Sequence, residues 1–474
     1  MKHALITFGN EESLGLSFVG GELIKHCQQI RYFDGENGAL DEVVNWKPDY
    51  VMFSPLTTFY PQALTLADKV KENLPKAVTV FGGHHALACP DIINEKSVDA
   101  VVIGPVRGAI ERLLRREDGV IYTCPTTPDD MPRPARHQYY ADIPRMANRY
   151  RKFMFSMLGC PWNCSYCSSS SSHIQEVFGS QTHRDYFLKR RPIADVIDEA
   201  KQVMKYETHE IDWVDDDIFT GRDAEAWLLE FAEAWTRHIS KGSNVIDPYG
   251  EVKEVIPMYV STTSHGANTI SDKVLESLKR CVNVVGMGIQ AIRPESLKLF
   301  SRQWDSEAKM KAAYDRLISF GYRVNLQAIV GLPVDDPVED AIETVMAMQR
   351  IGPGSICSVY PLQVYPGTAL QKHCQKNQVG LNADCDGDTN SGIGSIYFEK
   401  EIWRKLRNIC KLATMFVKYN VSEKWIRALI NVDFDEETSR QLSMVRYYEC
   451  VTDRLGDEGK RIFDDIISSM KLRY

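Results

Sequence analysis

Short apolar runs alternate with longer stretches whose apolar positions recur every three or four residues. In the first quarter of the chain the runs at 4–8, 30–33, 50–54, 78–81 and 100–103 predict β-strands. The stretches 14–27, 61–72 and 107–115 predict helices between them. Strands separated by helices argue for a parallel sheet with both faces covered. Residues 1–117 are therefore expected to form a doubly wound, Rossmann-like α/β domain of flavodoxin type. Residues 118–150 carry Pro125, Pro128, Pro132, Pro134 and Pro144. Such proline density predicts a linker without regular helix. A second alternation begins at 153–158 and continues with strands at 211–214, 255–260, 282–289, 324–330 and 356–362. Helices at 193–205, 225–237, 272–279, 307–320 and 338–349 separate them, which makes six βα units over 151–370. Beyond 371, helical periodicity at 401–419, 436–451 and 460–471 predicts a small helical C-terminal domain that shapes the substrate pocket. Trp403, Trp425, Tyr447 and Tyr448 read there as core residues. Residues 384–388 look superficially like a calcium loop, but the glycine is misplaced and no closing glutamate follows.

Composition narrows the class. The chain has 474 residues, which suits two or three domains. At 44% hydrophobic and 25% charged it is an ordinary globular sequence. A net charge of −8 offers no basic stripe for nucleic acid. No apolar run is long enough to span a bilayer, and the N-terminus lacks a signal-peptide core. Twelve cysteines without a secretion signal point to a reducing cytoplasm rather than a disulfide framework. Most of the scattered ones read as small buried hydrophobes.

Three cysteines stand out. Cys160, Cys164 and Cys167 lie in one short loop, separated by three and then two residues, with Tyr166 just before the last. A [4Fe–4S] cluster ordinarily takes four thiolates, so three would leave one iron open to a further ligand. The competing reading is a zinc knuckle, but zinc prefers paired Cys or His donors at ribbon spacing, and no such pair follows. Other polar residues gather after predicted strands. Asp215, Asp216 and Asp217 follow the second strand of the core, Ser261, Thr262 and Thr263 the third, Gln290 the fourth, and Ile329 to Pro333 the fifth. Acidic residues there hold a cationic amine or cap a helix. Arg145, Arg149, Arg151 and Lys152, before the cluster strand, face an anionic group or form a solvated basic turn. In the first domain the strand ends carry Gly9 and Asn10, then Ser54, Leu56 and Thr57, then Gly82, Gly83, His84 and His85, then Gly104. In a doubly wound sheet a ligand sits at those carboxyl ends.

The cysteine loop resembles the signature of the radical S-adenosylmethionine (SAM) superfamily. The first domain resembles the cobalamin-binding module found before the radical core in one branch of it. The matching features are Leu14-Gly15-Leu16, Lys47-Pro48-Asp49, Gly82-Gly83-His84-His85, the segment 98–104 and Tyr365-Pro366-Gly367-Thr368. The resemblance covers roughly residues 1–370. It implies a partial (β/α)6 barrel, with Cys160, Cys164 and Cys167 on a [4Fe–4S] cluster. It places Tyr166, Asp215, Asp216, Ser261, Thr262, Gln290, Ile329 and Gly331 around SAM. Gly9, Asn10, Ser54, Leu56, Thr57, Gly82, Gly83, His84, His85 and Gly104 fall around cobalamin, where His84 and His85 bond corrin amides or cap a helix. The sequence departs from the pattern in three places. No cobalt-ligating histidine follows the first strand, Gly104-Pro105-Val106-Arg107-Gly108 replaces Gly-Glu-Gly-Glu, and Gln290 stands where a glutamate is common.

The resemblance implies a cobalamin-dependent radical SAM methyltransferase. It would cleave SAM reductively and move a methyl group through methylcobalamin to an unactivated centre of a small-molecule or peptide substrate. Electrons would come from a donor such as flavodoxin or ferredoxin. Two alternatives stand beside it. One keeps both cofactors for ring closure, rearrangement, or methylation at sp2 carbon or phosphorus. The other is a cofactor carrier, which would need no SAM pocket. A methylthiotransferase is disfavoured, because the amino-terminal domain of that family resembles a second cluster carrier with three cysteines, and that half of this chain offers only the scattered Cys27, Cys89 and Cys124.

Overall fold

Burial on both faces of short parallel strands builds the amino-terminal half. The computed structural model describes residues 1–36, 38–124, 127–246, 252–382, 394–447 and 456–469. Strands β1 (Lys2–Thr7), β2 (Gln29–Asp34), β3 (Tyr50–Phe53), β4 (Val78–Phe81), β5 (Ala100–Ile103) and β6 (Gly119–Tyr122) form one sheet. Their order is β2-β1-β3-β4-β5-β6, and every pair is parallel. Successive side chains point to opposite faces. Ala4, Ile6, Val51, Phe53, Phe81 and Val101 therefore pack in one core, while Leu5, Tyr50, Met52, Val80 and Ala100 pack in another. The second core is continuous with that of the following domain.

The sheet is one strand wider than the five expected, because β6 falls in the segment read as linker. That segment also contains helices Arg136–Asp142 and Pro144–Ala147, against the expectation of none. Pro144 occupies the first helical turn, where a missing N–H costs nothing, and Pro128, Pro132 and Pro134 precede the first helix.

The second sheet contains β7 (Arg151–Met154), β8 (Glu210–Trp213), β11 (Met258–Thr263), β12 (Val282–Gln290), β13 (Arg323–Val330) and β14 (Ile356–Pro361). Between β8 and β11 lies an unforeseen antiparallel hairpin, β9 (Ser240–Ile246) with β10 (Val252–Val255). It claims Val255 and moves the next barrel strand to Met258. The order β14-β13-β12-β11-β8-β7, all parallel, follows the chain and makes a half-barrel open between β7 and β14.

Helix Lys400–Lys418 packs against β14 and against helix Pro337–Ile351. Gln349 donates to the carbonyls of Phe416 and Val421, both at 2.8 Å, and Thr414 donates to the Cys357 carbonyl at 3.0 Å. Trp403 and Trp425 lean on the core, whereas Tyr447 is exposed. Tyr448 and the acidic stretch 384–388 lie outside the described residues. Among the described residues no helix is long and apolar enough to cross a membrane.

A buried ionic network fastens the two sheets together. Arg136 donates to Glu199 Oε1 from Nε at 2.9 Å and from Nη2 at 2.7 Å. It also lies 3.6 Å from Glu12, whose carboxylate accepts from Tyr140 Oη at 2.6 Å and from the Phe153 amide at 2.5 Å. Arg191 closes the set on Glu199 at 2.8 Å. Glu12 belongs to the first domain, Arg136 and Tyr140 to the linker, Phe153 to β7, and Glu199 to helix Ile193–Val203. Arg136→Ala would leave both carboxylates short of their shared cation. It should destabilise the protein by about 3–5 kcal/mol, as breaking a buried pair does. The measurement is the midpoint of chemical denaturation, and an unchanged midpoint would refute this role.

Candidate functional site

The strand expected at 153–158 stops at Met154, so the cysteine loop starts four residues early. Asp215, just past β8, holds its entrance. Its carboxylate accepts from the Ser156 amide at 2.6 Å, Ser156 Oγ at 2.5 Å, the Met157 amide at 3.0 Å and Arg190 Nη1 at 2.7 Å. Arg190, also buried, reaches on to the carbonyls of Ile218 and Thr220. The far side of the loop is fixed by Ser165, whose amide and hydroxyl donate to the carbonyls of Phe300 and Leu299. Cys160 and Cys164 are buried and Cys167 is half-buried.

Burial, followed by the nearby Asp216, pushes the Cys167 thiol up to about 12. Burial, with Asp216 and Asp217, drives the Cys160 thiol up as well. Thiolates here need a compensating positive centre, which a metal group supplies. Among the described residues no three His, Cys, Asp or Glu side chains converge on a single ion.

The three aspartates divide. Asp217 is saturated by Trp162 Nε1 at 2.9 Å, Thr262 Oγ1 at 2.7 Å and Thr263 Oγ1 at 2.8 Å. Asp215 is spent on the loop. Asp216 alone keeps its carboxyl open to solvent, although protein surrounds it. Burial and the charge of Asp215 push it up to about 7, against a hydrogen bond from Ser169. The expectation that both Asp215 and Asp216 face a ligand is thus corrected. Asp215 is committed to the fold, and so is the hydroxyl of Thr262.

Ser261 is half-buried, and its carbonyl accepts from the Ile218 amide. Gln290 ends β12 with φ of +63°, after a register slip beyond Gly288. Tyr166 sits edge-on to Phe300 at 4.6 Å and shares a small apolar cluster with Ile329. Gly331 lies near Phe398 and Leu406, so the C-terminal helix reaches this end of the barrel.

Sequence reasoning missed Arg302, a buried guanidinium that donates to the Gly288 carbonyl at 2.7 Å and to Asp305 at 3.0 Å. It also hydrogen-bonds Tyr166 and stands close enough to Cys164 for their charges to interact. Nor was the stack of Trp162 on Trp304 at 4.8 Å foreseen. No periodicity marks them, because Arg302 meets Tyr166, and Trp162 meets Trp304, across more than a hundred residues. The basic turn is largely satisfied within the protein. Arg145 pairs with Asp34, Arg151 with Glu210, and Lys152 donates to three carbonyls.

At the carboxyl edge of the first sheet, Gly9, Ser54, Gly82 and Gly104 follow β1, β3, β4 and β5. The order of strand addition reverses between β1 and β3, the switch point where such sheets bind ligands. Gly83 has φ of +82°, and a Cβ there would stand 2.3 Å from Ser54 Oγ. Only glycine allows this close approach of the Ser54 side chain to the loop. Asn10 and Leu56 are exposed beside it.

The two histidines part company. His85 is buried, bonded to Thr57 Oγ1 at 3.2 Å and stacked on Tyr60 at 4.1 Å, so it is structural rather than a corrin contact or cap. His84 is reachable by solvent yet enclosed by protein, and desolvation holds its imidazole below the ordinary range.

Residues 154–345 match the family model of the radical SAM superfamily, and residues 27–114 that of the B12 binding domain. The chain is 30% identical over 184 residues to hopanoid C-3 methylase of Methylococcus capsulatus. That match covers 33% of this chain and 36% of the methylase, so the chain spans about a third of that relative. It is 23% identical over 402 residues to the uncharacterized methyltransferase PH0819 of Pyrococcus horikoshii, covering 78% of this chain and 79% of the other. Among solved structures, the radical SAM methyltransferase TsrM of Kitasatospora setae, with tryptophan and a SAM analogue bound, superposes with a TM-score of 0.61. Identity is 14%, over 81% of this chain and 79% of that one. The cobalamin-dependent radical enzyme OxsB, with aqua-cobalamin bound, superposes at 0.63 with 12% identity, over 99% and 75%. At these identities the structural likeness speaks for the fold.

The aspartates yield a paired test. Asp215→Asn should strand the buried Arg190 and cost about 3–5 kcal/mol. Asp216→Asn should stay within about 0.5 kcal/mol of the parent. Thermal unfolding of the two variants checks this, and equal losses would refute the division of labour.

Proposed function

Because this chain belongs to the B12-binding radical SAM enzymes, we propose that it is a methyltransferase acting on an unactivated centre of a small molecule or peptide. The observation that carries the reading is Asp216, the open carboxyl left beside Cys160 and Cys167 by its saturated neighbours.

Cys160, Cys164 and Cys167 would hold a [4Fe–4S] cluster, whose positive charge would stabilise their thiolates in this desolvated loop. Asp216 would accept from the ammonium of SAM, with Gln290 and Ser261 near it and Tyr166, Ile329 and Gly331 on the apolar side. Gly9, Asn10, Ser54, Leu56, Thr57, Gly82, Gly83, His84 and Gly104 would receive cobalamin. When bound, these groups supply one-electron cleavage of SAM and a transferable methyl group.

The protein's own work is placement. Asp215 and Arg190 set the entrance of the cysteine loop, and Asp217 ties Trp162 to Thr262 and Thr263 on β11. Apolar packing of Tyr166, Ile329 and Phe398 limits water on one side. A flavodoxin or ferredoxin would reduce the cluster.

The full chain should be reconstituted anaerobically with iron, sulfide and hydroxocobalamin, then desalted. Close to one corrinoid per chain should remain beside the iron–sulfur absorption. Reduction with SAM present should release 5′-deoxyadenosine, and Cys160→Ala, Cys164→Ala and Cys167→Ala should each abolish that release. Product should gain one methylene unit in mass. A loss of two hydrogens, or a cluster-loaded chain that retains no corrinoid, would overturn the methyltransferase reading.

A further inference from the structure

The helix Ser171–Phe178 begins four residues after the third cluster cysteine and ends against the first domain. Its first turn is built on the cysteine loop. The Ser171 amide donates to the Trp162 carbonyl at 2.9 Å, and the Ser172 amide to Asn163 Oδ1 at 2.8 Å. Both acceptors lie between Cys160 and Cys164. The Ser170 amide returns to the Cys167 carbonyl at 3.2 Å.

The last turn touches the loops assigned above to cobalamin. The Phe178 ring stands 3.1 Å from where a Cβ on Gly104 would be, and Val177 and Phe178 pack against the outer core of the first sheet. Ile174 shares an apolar cluster with Leu87, on the short helix that carries His84.

A second line runs in parallel. Gly159, next to Cys160, lies so close to Phe187 that an added Cβ would meet the Phe187 Cβ at 2.8 Å. Phe187 packs on Phe178 with ring centroids 5.1 Å apart. A single π-helical turn, His183–Phe187, presents both Phe187 and His183, and the latter lies 3.3 Å from the Cys160 carbonyl. Such turns are uncommon and gather at functional sites.

We infer that helix Ser171–Phe178 is a strut between the cluster loop and the corrin-facing loops, with Phe178 as its positioning residue, so that loading one site tightens the other. This rests on the proposed function, since it requires both cofactors to bind. A cysteine loop without its cluster has lost the group that joins its three thiols. The amides of residues 170–172 depend on that loop for their acceptors, so loosening it loosens the helix. Close-packed aromatics transmit such a change because they occupy discrete arrangements. Linkage then requires the effect to be equal in both directions.

The test measures the dissociation constant of hydroxocobalamin for the full chain, cluster-loaded and cluster-free. The loaded form should bind at least about 5-fold more tightly, the lower range for coupled sites. Phe178→Ala should bring the ratio close to one without changing iron content, and Phe178→Leu should restore most of it. A ratio of one in the parent, or an undiminished ratio in Phe178→Ala, would overturn the strut.

Amide hydrogen exchange without cobalamin supplies the independent arm. Cluster loading should protect residues 83–88 and 104–108 in the parent but not in Phe178→Ala. Protection confined to 155–178 would also overturn it. If the parent binds no cobalamin in either form, the proposed function falls, and the exchange result still decides the strut.

Discussion

The placement of two sheets against each other depends on one buried guanidinium. Arg136 is fully buried between Glu12 and Glu199, and Arg191 balances the second carboxylate. Taking four charges out of water costs several kcal/mol per ion, and the attraction repays this only in good geometry. A shift of the first domain against the half-barrel would separate those charges while they stayed buried. The network therefore acts less as a glue than as a constraint on register. It makes the carboxyl edges of two sheets part of one molecule with a defined relation.

Within that frame, three identical residues in a row acquire three fates. Asp215, Asp216 and Asp217 leave the end of β8 in alternating directions. The first meets the cysteine loop and Arg190, and the third meets β11 and Trp162. Both are saturated by donors, as buried carboxylates must be. The middle one is left over, and being left over makes it chemically available. Burial raises its proton affinity first, and the neighbouring Asp215 carboxylate, held 2.7 Å from Arg190, adds to the effect.

The first sheet solves a different problem. Gly83, at φ of +82°, takes a conformation in which the Ser54 side chain fills the space a Cβ would take, so the ends of β3 and β4 close on each other. Its neighbour His85 is buried to hold the loop through Thr57 and Tyr60, which leaves His84 outward. Paired residues again divide into one that is buried as a support and one that stays exposed.

Much of this was legible in the chain. The apolar runs at 78–81 and 100–103 coincide with β4 and β5, and the three cysteines expected in one short loop do share one, between β7 and the helix Ser171–Phe178. Periodicity and short motifs are local properties, and local geometry decides strands, helices and loops that wrap one group. The hairpin β9–β10 escaped because its Lys-Gly-Ser-Asn stretch has no apolar alternation, and β6 because its run abuts the proline-rich stretch read as linker. Which aspartate stays open, which histidine is structural, and where Arg136 and Arg302 find their partners were decided by tertiary structure alone. Most of the residues that set burial and hydrogen-bond saturation lie tens to more than a hundred positions away, and no short window along the chain contains them.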